Sequence, residues 1–150
     1  MRIYLPATAA DLSAELLAAR PAHAVTPALR SSNPTESEED LEVPAFLAAA
    51  DASLALLTGA DVPVRLVIAA DVGAAEAIPG EDITQVSAPQ VPWSAVVSFH
   101  VDDPADGEAA ALVSAAVGGD EEAIEKAGEL DLLWFDVSER DELGALLQGS

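Results

Sequence analysis

The sequence predicts a single α+β domain over residues 1–150, built as a mixed sheet of about five strands with helices packed on it. Three observations carry that prediction. Short β-branched and aliphatic runs alternate with stretches that bear helix-capping signals. The two strongest strand patterns, 64–72 and 93–101, have no helical pattern between them, which points to an antiparallel pair rather than a purely doubly wound sheet. Hydrophobic residues make up 51% of the chain, far more than a disordered acidic chain carries. A chain of this length buries roughly 68–70% of its unfolded surface, enough for a real core.

Taken in order, residues 3–5 form a strand that ends at Pro6, which has no N–H for a ladder. Thr8 and Asp11 match a capping box, so a helix is expected to about residue 20, with Leu12, Leu16 and Ala19 on one face and Pro21 as its stop. Residues 22–29 read as a strand that Pro27 confines to an edge or an end. The polar stretch 30–39 is a loop. A helix over 41–57 follows, with Asp40 as N-cap, so that Pro44 falls in the first turn where it costs no helical bond. Phe46, Leu47, Ala50, Leu54 and Leu57 form its buried stripe, and Gly59 closes it.

The run VRLVIAADV at 64–72 reads as a central strand covered on both faces. Residues 73–80 are a loop, 83–86 a short strand, and Pro89 and Pro92 bracket a turn before the strand at 93–101. Asp103 and Pro104 supply an N-cap and a first helical residue for a helix to 117, stopped by Gly118 and Gly119. A further helical piece covers 120–127, a last strand 130–137, and a capping box at Ser138 and Asp141 opens a C-terminal helix through 147.

Charge excludes whole classes of partner. Six basic residues stand against 27 acidic ones, a formal net charge of −21. One lysine and five arginines cannot neutralise a run of phosphates, so nucleic acid is not an expected partner, and neither is an anionic membrane. Many acids fall in first turns of expected helices, including Asp103, Asp106, Asp120 and Glu139, where they complement the helix dipole. The remainder leave room for a basic protein partner. The absence of cysteine excludes disulfides, thiolate metal sites and cysteine nucleophiles. No signal peptide or membrane-length apolar run is visible, so the expected location is the cytoplasm. No cofactor is expected: the phosphate-loop and dinucleotide fingerprints are missing, and the calcium-loop pattern beginning at Asp102 fails at Pro104 and Val113.

The stretches MRIYLPAT at 1–8, VTPALR at 25–30, VIAADV at 67–72, PWSAVVSFHVDD at 92–103 and LLWFDVSE at 132–139 are similar to a family of small uncharacterised actinobacterial proteins. The resemblance covers most of the chain and reaches the strands expected at 3–5, 22–29, 64–72, 93–101 and 130–137. It implies one domain and an intracellular setting, and it assigns no catalytic role to any residue.

One cluster carries chemistry worth testing: His100, Asp102 and Asp103. Residues two apart on a strand share a face, so His100 and Asp102 are expected side by side at a strand end, where ligands often bind. Such a pair suits general-base work, and with Asp103 it suits a divalent metal, for which only His23 and further carboxylates could complete the ligand set. The structural alternative gives Asp103 to an N-cap, Asp102 to the same helix start or turn, and one hydrogen bond to a half-buried His100. Ser94 and Ser98 share the face of His100 by parity, but a serine nucleophile needs a sharp turn beside an oxyanion hole, and no G-x-S-x-G occurs. Arg2 and Tyr4 share a strand face, with Arg2 expected in an ion pair. Trp134 and Phe135 must face opposite ways, one toward a covered face and the other toward a second face or an interface.

The reading adopted is a non-catalytic binding or accessory module acting through protein–protein contacts. Its rival is a metal-assisted hydrolase using His100 and Asp102, which requires a pocket at the end of the 93–101 strand with a third polar ligand. A nucleic-acid mimic, with acids spaced like phosphates, is a third class.

Overall fold

The computed structural model describes residues 1–148. Seven strands form one open sheet: β1 (Arg2–Ala7), β2 (Arg20–His23), β3 (Leu66–Asp71), β4 (Glu76–Ala77), β5 (Gln85–Ala88), β6 (Val96–Val101) and β7 (Leu133–Asp136), in the order β4-β5-β2-β1-β3-β6-β7. Five α-helices accompany them: α1 (Pro27–Ser32), α2 (Glu38–Leu56), α3 (Gly107–Val117), α4 (Glu121–Gly128) and α5 (Arg140–Gln148).

Every described strand pairing is antiparallel, so the expected mixed sheet of about five strands is corrected to an antiparallel sheet of seven. The β-α-β alternation misleads for a physical reason. Helices α1 and α2 carry the chain from β2 to β3, two parallel strands, but β1 lies between them and runs the other way. Helices α3 and α4 pack on each other and return the chain from β6 to its antiparallel neighbour β7.

One face of the sheet carries the main core: Ile3, Leu5, Ala22, Leu66, Ile68, Val86, Phe99 and Val101, capped by Leu12, Leu17, and Leu143 and Leu147 of α5. The other face carries Tyr4, Val67 and Ala69 against Ala45, Ala49 and Ala50 of α2. Small residues along α2 let the helix sit close to the sheet. β3 is buried on both faces from Leu66 to Ala70, as its unbroken apolar run requires.

Several boundaries differ from expectation. The capping box at Thr8 and Asp11 forms but starts only a short 3-10 turn, Ala9–Ser13. The core then takes both Leu12 and Leu17, five residues apart, which one α-helical face cannot present together, while Leu16 stays 41% exposed. Pro21 is the second residue of β2 rather than a stop. The expected strand at 22–29 splits: β2 ends at His23, and Thr26 caps α1, with Pro27 at the first turn and the Leu29 amide donating to the Thr26 hydroxyl.

Helix α2 begins at Ser37, not Asp40. The Asp40 amide donates to Ser37 Oγ at 3.2 Å, and three acids fill the first turn. Pro44 therefore lies inside the helix, on its exposed side, where the Asp40 carbonyl loses its helical donor. Of the expected stripe, Ala50 and Leu57 are buried, Phe46 and Leu54 are partly buried, and Leu47 faces solvent. β4 forms where a loop was expected, and β5 lies at 85–88 instead of 83–86.

Two helix starts move as well. Asp106, not Asp103, caps α3, accepting from the Glu108 and Ala109 amides, while Asp103 caps the turn before it. The capping box ahead of α5 joins Asp136 and Glu139, not Ser138 and Asp141. Asp120 caps α4 where expected.

Candidate functional site

Helix α2 lies on β1, β2 and β3 and leaves a groove beside each of its halves. The N-terminal half, with β6 and β7, bounds an open cavity of about 530 Å³. Its walls are Tyr4, Phe46, His100, Leu132 and Trp134, with the carboxylates of Glu39, Glu42 and Asp131 at its rim. Register explains the convergence. Val67, His100 and Trp134 are successive partners across β3, β6 and β7, so all three project from the α2 face. Phe46 meets Tyr4 edge-on at 5.9 Å between ring centres and His100 at 5.0 Å. Trp134 stands 59% exposed, while Phe135 packs against the main core on the opposite face, as their adjacency demands.

A β-bulge shapes this wall. Ala69 pairs with Ser98 but Ala70 pairs with Val96, so Val97 is an extra residue in β6. Strict parity fails beyond it, and Ser94 lies in a 3-10 turn (Trp93–Ala95) instead of on the strand with Ser98 and His100. Ser98 and His100 do share a face, with Ser98 Oγ 3.1 Å from His100 Nε2.

Asp102 is placed elsewhere. Its Oδ2 accepts from the Arg65 amide at 2.8 Å and from Arg65 Nε at 3.0 Å, and its Oδ1 accepts from Arg65 Nη2 at 2.7 Å. Both side chains are at most 3% exposed. This bidentate pair closes the β3–β6 ladder at the end where the rival reading needs a pocket. The His100–Asp102 dyad is therefore not assembled: the imidazole bonds to Ser98 and the carboxylate to Arg65. Asp103 Oδ1 accepts from the Ala105 amide. Among the described residues no three His, Asp or Glu side chains converge as metal ligands.

Every basic side chain is committed inside the molecule. Arg2 pairs with Asp71, Arg20 with Asp11, Arg30 with Glu38, Arg65 with Asp102 and Lys126 with Glu122. Arg140 donates to the Leu12 and Ala14 carbonyls at 2.8 Å and lies 3.7 Å above the Trp93 ring. The expected ion pair of Arg2 is thus with Asp71, its partner across β1 and β3. Among the described residues Arg2 is the one cation on the groove wall; it is paired with Asp71, and three carboxylates, Glu39, Glu42 and Asp131, share the groove with it.

A family model described as a family of unknown function (DUF6912) matches residues 1–143. The chain belongs to the DUF6912 family. No curated protein and no solved structure gives a match. No helix of this DUF6912 chain is long and apolar enough to cross a membrane among the described residues.

Sequence reasoning missed Arg65, Phe46 and the groove carboxylates. Arg65 left one signal, a lone charge at the mouth of a fully apolar strand, which must meet a buried counter-charge. The groove left none, because it depends on how α2 crosses the sheet.

Both histidines respond to burial. Desolvation holds His100 below the ordinary imidazole value of 6.5, with help from the Arg2 charge. Desolvation also lowers His23, against the opposing pull of Asp82 and Asp51. As pH falls below about 6.5, the unfolded chain takes up protons that the folded chain refuses, so stability falls toward acid pH and levels once the folded histidines titrate. The melting temperature at constant ionic strength should be lower at pH 5.5 than at pH 7.5, conditions chosen to bracket an ordinary imidazole. The drop should shrink in His100→Gln. An identical drop in that variant would contradict the assignment.

Proposed function

We propose that this chain is a non-catalytic binding module and that the groove between the N-terminal half of α2 and the β6–β7 edge takes a basic segment of a partner protein. One observation carries the reading: aromatic walls and carboxylate rim meet in a groove whose one cation among the described residues, Arg2, is paired. Arginine or lysine over an aromatic face gains roughly 0.5–1 kcal/mol at exposed sites and about 2 when desolvated. The −21 charge steers such a segment toward the surface and repels acidic competitors. Among the described residues β7 has a strand neighbour on one side only, so its outer edge offers backbone groups to an extended segment.

The test is a fluorescence titration with a short arginine- and leucine-containing peptide, Trp134 serving as reporter, against a peptide with glutamate in place of arginine. The basic peptide should bind, more weakly as salt rises, and the acidic one should not. Binding by Trp134→Ala, followed by calorimetry, should be roughly tenfold weaker or worse, the loss expected of an aromatic anchor. Equal binding of both peptides, or no change in Trp134→Ala, would remove the reading.

A further inference from the structure

The groove beside the C-terminal half of α2 is independent of the first and differs in chemistry. Its cavity is about 470 Å³, a size usual for small-molecule sites. Pro6, Pro21, Ala52 and Leu56 make it apolar, and His23 and Gln85 supply polar groups. The Arg20 guanidinium on its edge is already tied to Asp11 and to the Pro6 carbonyl.

His23 is only 3% exposed, and its ring is oriented from behind. The Thr84 amide and hydroxyl both donate to Asp82 Oδ1, at 2.9 and 2.6 Å. With its proton so placed, Thr84 Oγ1 turns its lone pairs toward His23 Nδ1, 2.8 Å away, and Asp82 Oδ2 lies 3.4 Å from the same nitrogen. Two acceptors on one side require the proton on Nδ1. Nε2 then carries a lone pair, and no donor among the described residues meets it. The burial that lowers His23 keeps the ring neutral at pH 7. His23 lines the cavity, so this lone pair is free to accept from a donor that enters it.

We propose that this cavity is a small-molecule site in which His23 Nε2 accepts a hydrogen bond from the hydroxyl or N–H of an uncharged, ring-sized apolar ligand. An anion would meet a molecule of net charge −21. A cation would gain little from Asp82, which sits behind the imidazole at Nδ1, or from Asp11, which is held by Arg20.

The experiment uses the full chain labelled with ¹⁵N-histidine, with phenol as probe and benzene as the control that lacks a donor. Before ligand is added, the His23 signals should show an Nδ1–H tautomer. Phenol should shift the Nε2 resonance away from the free lone-pair position, and should bind about two- to tenfold tighter than benzene, the worth of one net hydrogen bond. In His23→Phe that preference should vanish. Ala52→Phe, which fills the cavity and leaves His23 in place, should abolish both binding events. An Nε2–H tautomer in the unmodified chain, equal binding of phenol and benzene, or no binding of either would overturn the proposal. The tautomer measurement needs no variant, so a misfolded His23→Phe does not protect it.

Discussion

Replacing Arg65 by methionine should destabilise the fold by about 3–5 kcal/mol, among the largest effects of any single substitution here. The loss comes less from the missing attraction than from what is left behind. Asp102 is 1% exposed and takes all its hydrogen bonds from Arg65. Without the guanidinium its carboxylate keeps only the Arg65 backbone amide, and the charge is stranded in the interior or must take up a proton. Arg65 Nη2 also reaches the Leu130 carbonyl at 3.4 Å, ahead of β7, so the change should loosen the chain where it enters the groove wall. The double variant Arg65→Met with Asp102→Leu removes both charges and should recover most of the loss, because a buried pair gains little over well-packed apolar groups. Urea denaturation of both singles and the double measures this directly. A cost below about 1 kcal/mol in Arg65→Met would show that Asp102 is not held as described, since that is the scale of a surface pair.

Phe99→Ala should cost about 3–5 kcal/mol, the range for deleting a large buried aromatic whose surroundings cannot collapse. Phe99 is fully buried in the middle of β6, on the face opposite His100. Its ring lies 6.1 Å from Trp93, and Trp93 in turn supports Arg140. Arg140 opens α5 and ties it to the Leu12–Ala14 segment. The cavity should therefore weaken the hold on α5, giving faster amide exchange over 140–147 as well as a lower urea midpoint. Phe99→Leu keeps most of the volume and should cost under half as much. Equal losses in the two variants would mean that packing around Phe99 is not what the ring supplies.

The parts legible in the sequence were those fixed by local chemistry. The run at 64–72 announced a strand covered on both faces, which the structure has over 66–70, Asp120 announced a helix start, and the adjacency of Trp134 and Phe135 put them on opposite faces. Where two local signals competed, the three-dimensional structure chose. Ser37 and Asp40 both suit an N-cap, and so do Asp103 and Asp106; the earlier wins for α2 and the later for α3. The capping box at Thr8 is real, yet the core's demand for Leu12 and Leu17 together overrides the helix it would start. The antiparallel pairing of the strands within 64–72 and 93–101 was readable from the lack of a helix between them. Elsewhere strand direction was not, because a helix between two strands fixes neither whether they are neighbours nor what lies between them.

For the candidate site, parity put His100 beside Ser98, as the structure has it. It could not show that Arg65, 37 positions earlier, would claim the Asp102 carboxylate. That partner turns the expected dyad into a structural clamp and a half-buried imidazole. The groove joins residues of β1, α2, β6 and β7 with Asp131 just ahead of β7, and no short pattern spans such separations.

On the proposed reading, recognition is localised: a basic segment seats against Phe46, His100 and Trp134 and is not merely attracted to an acidic surface. Backbone amide shift mapping with the arginine-containing peptide separates the two. Perturbations should be concentrated at 39–46, 97–100 and 131–135. Shifts spread evenly over the acidic first turns of α3, α4 and α5, with the groove silent, would contradict it.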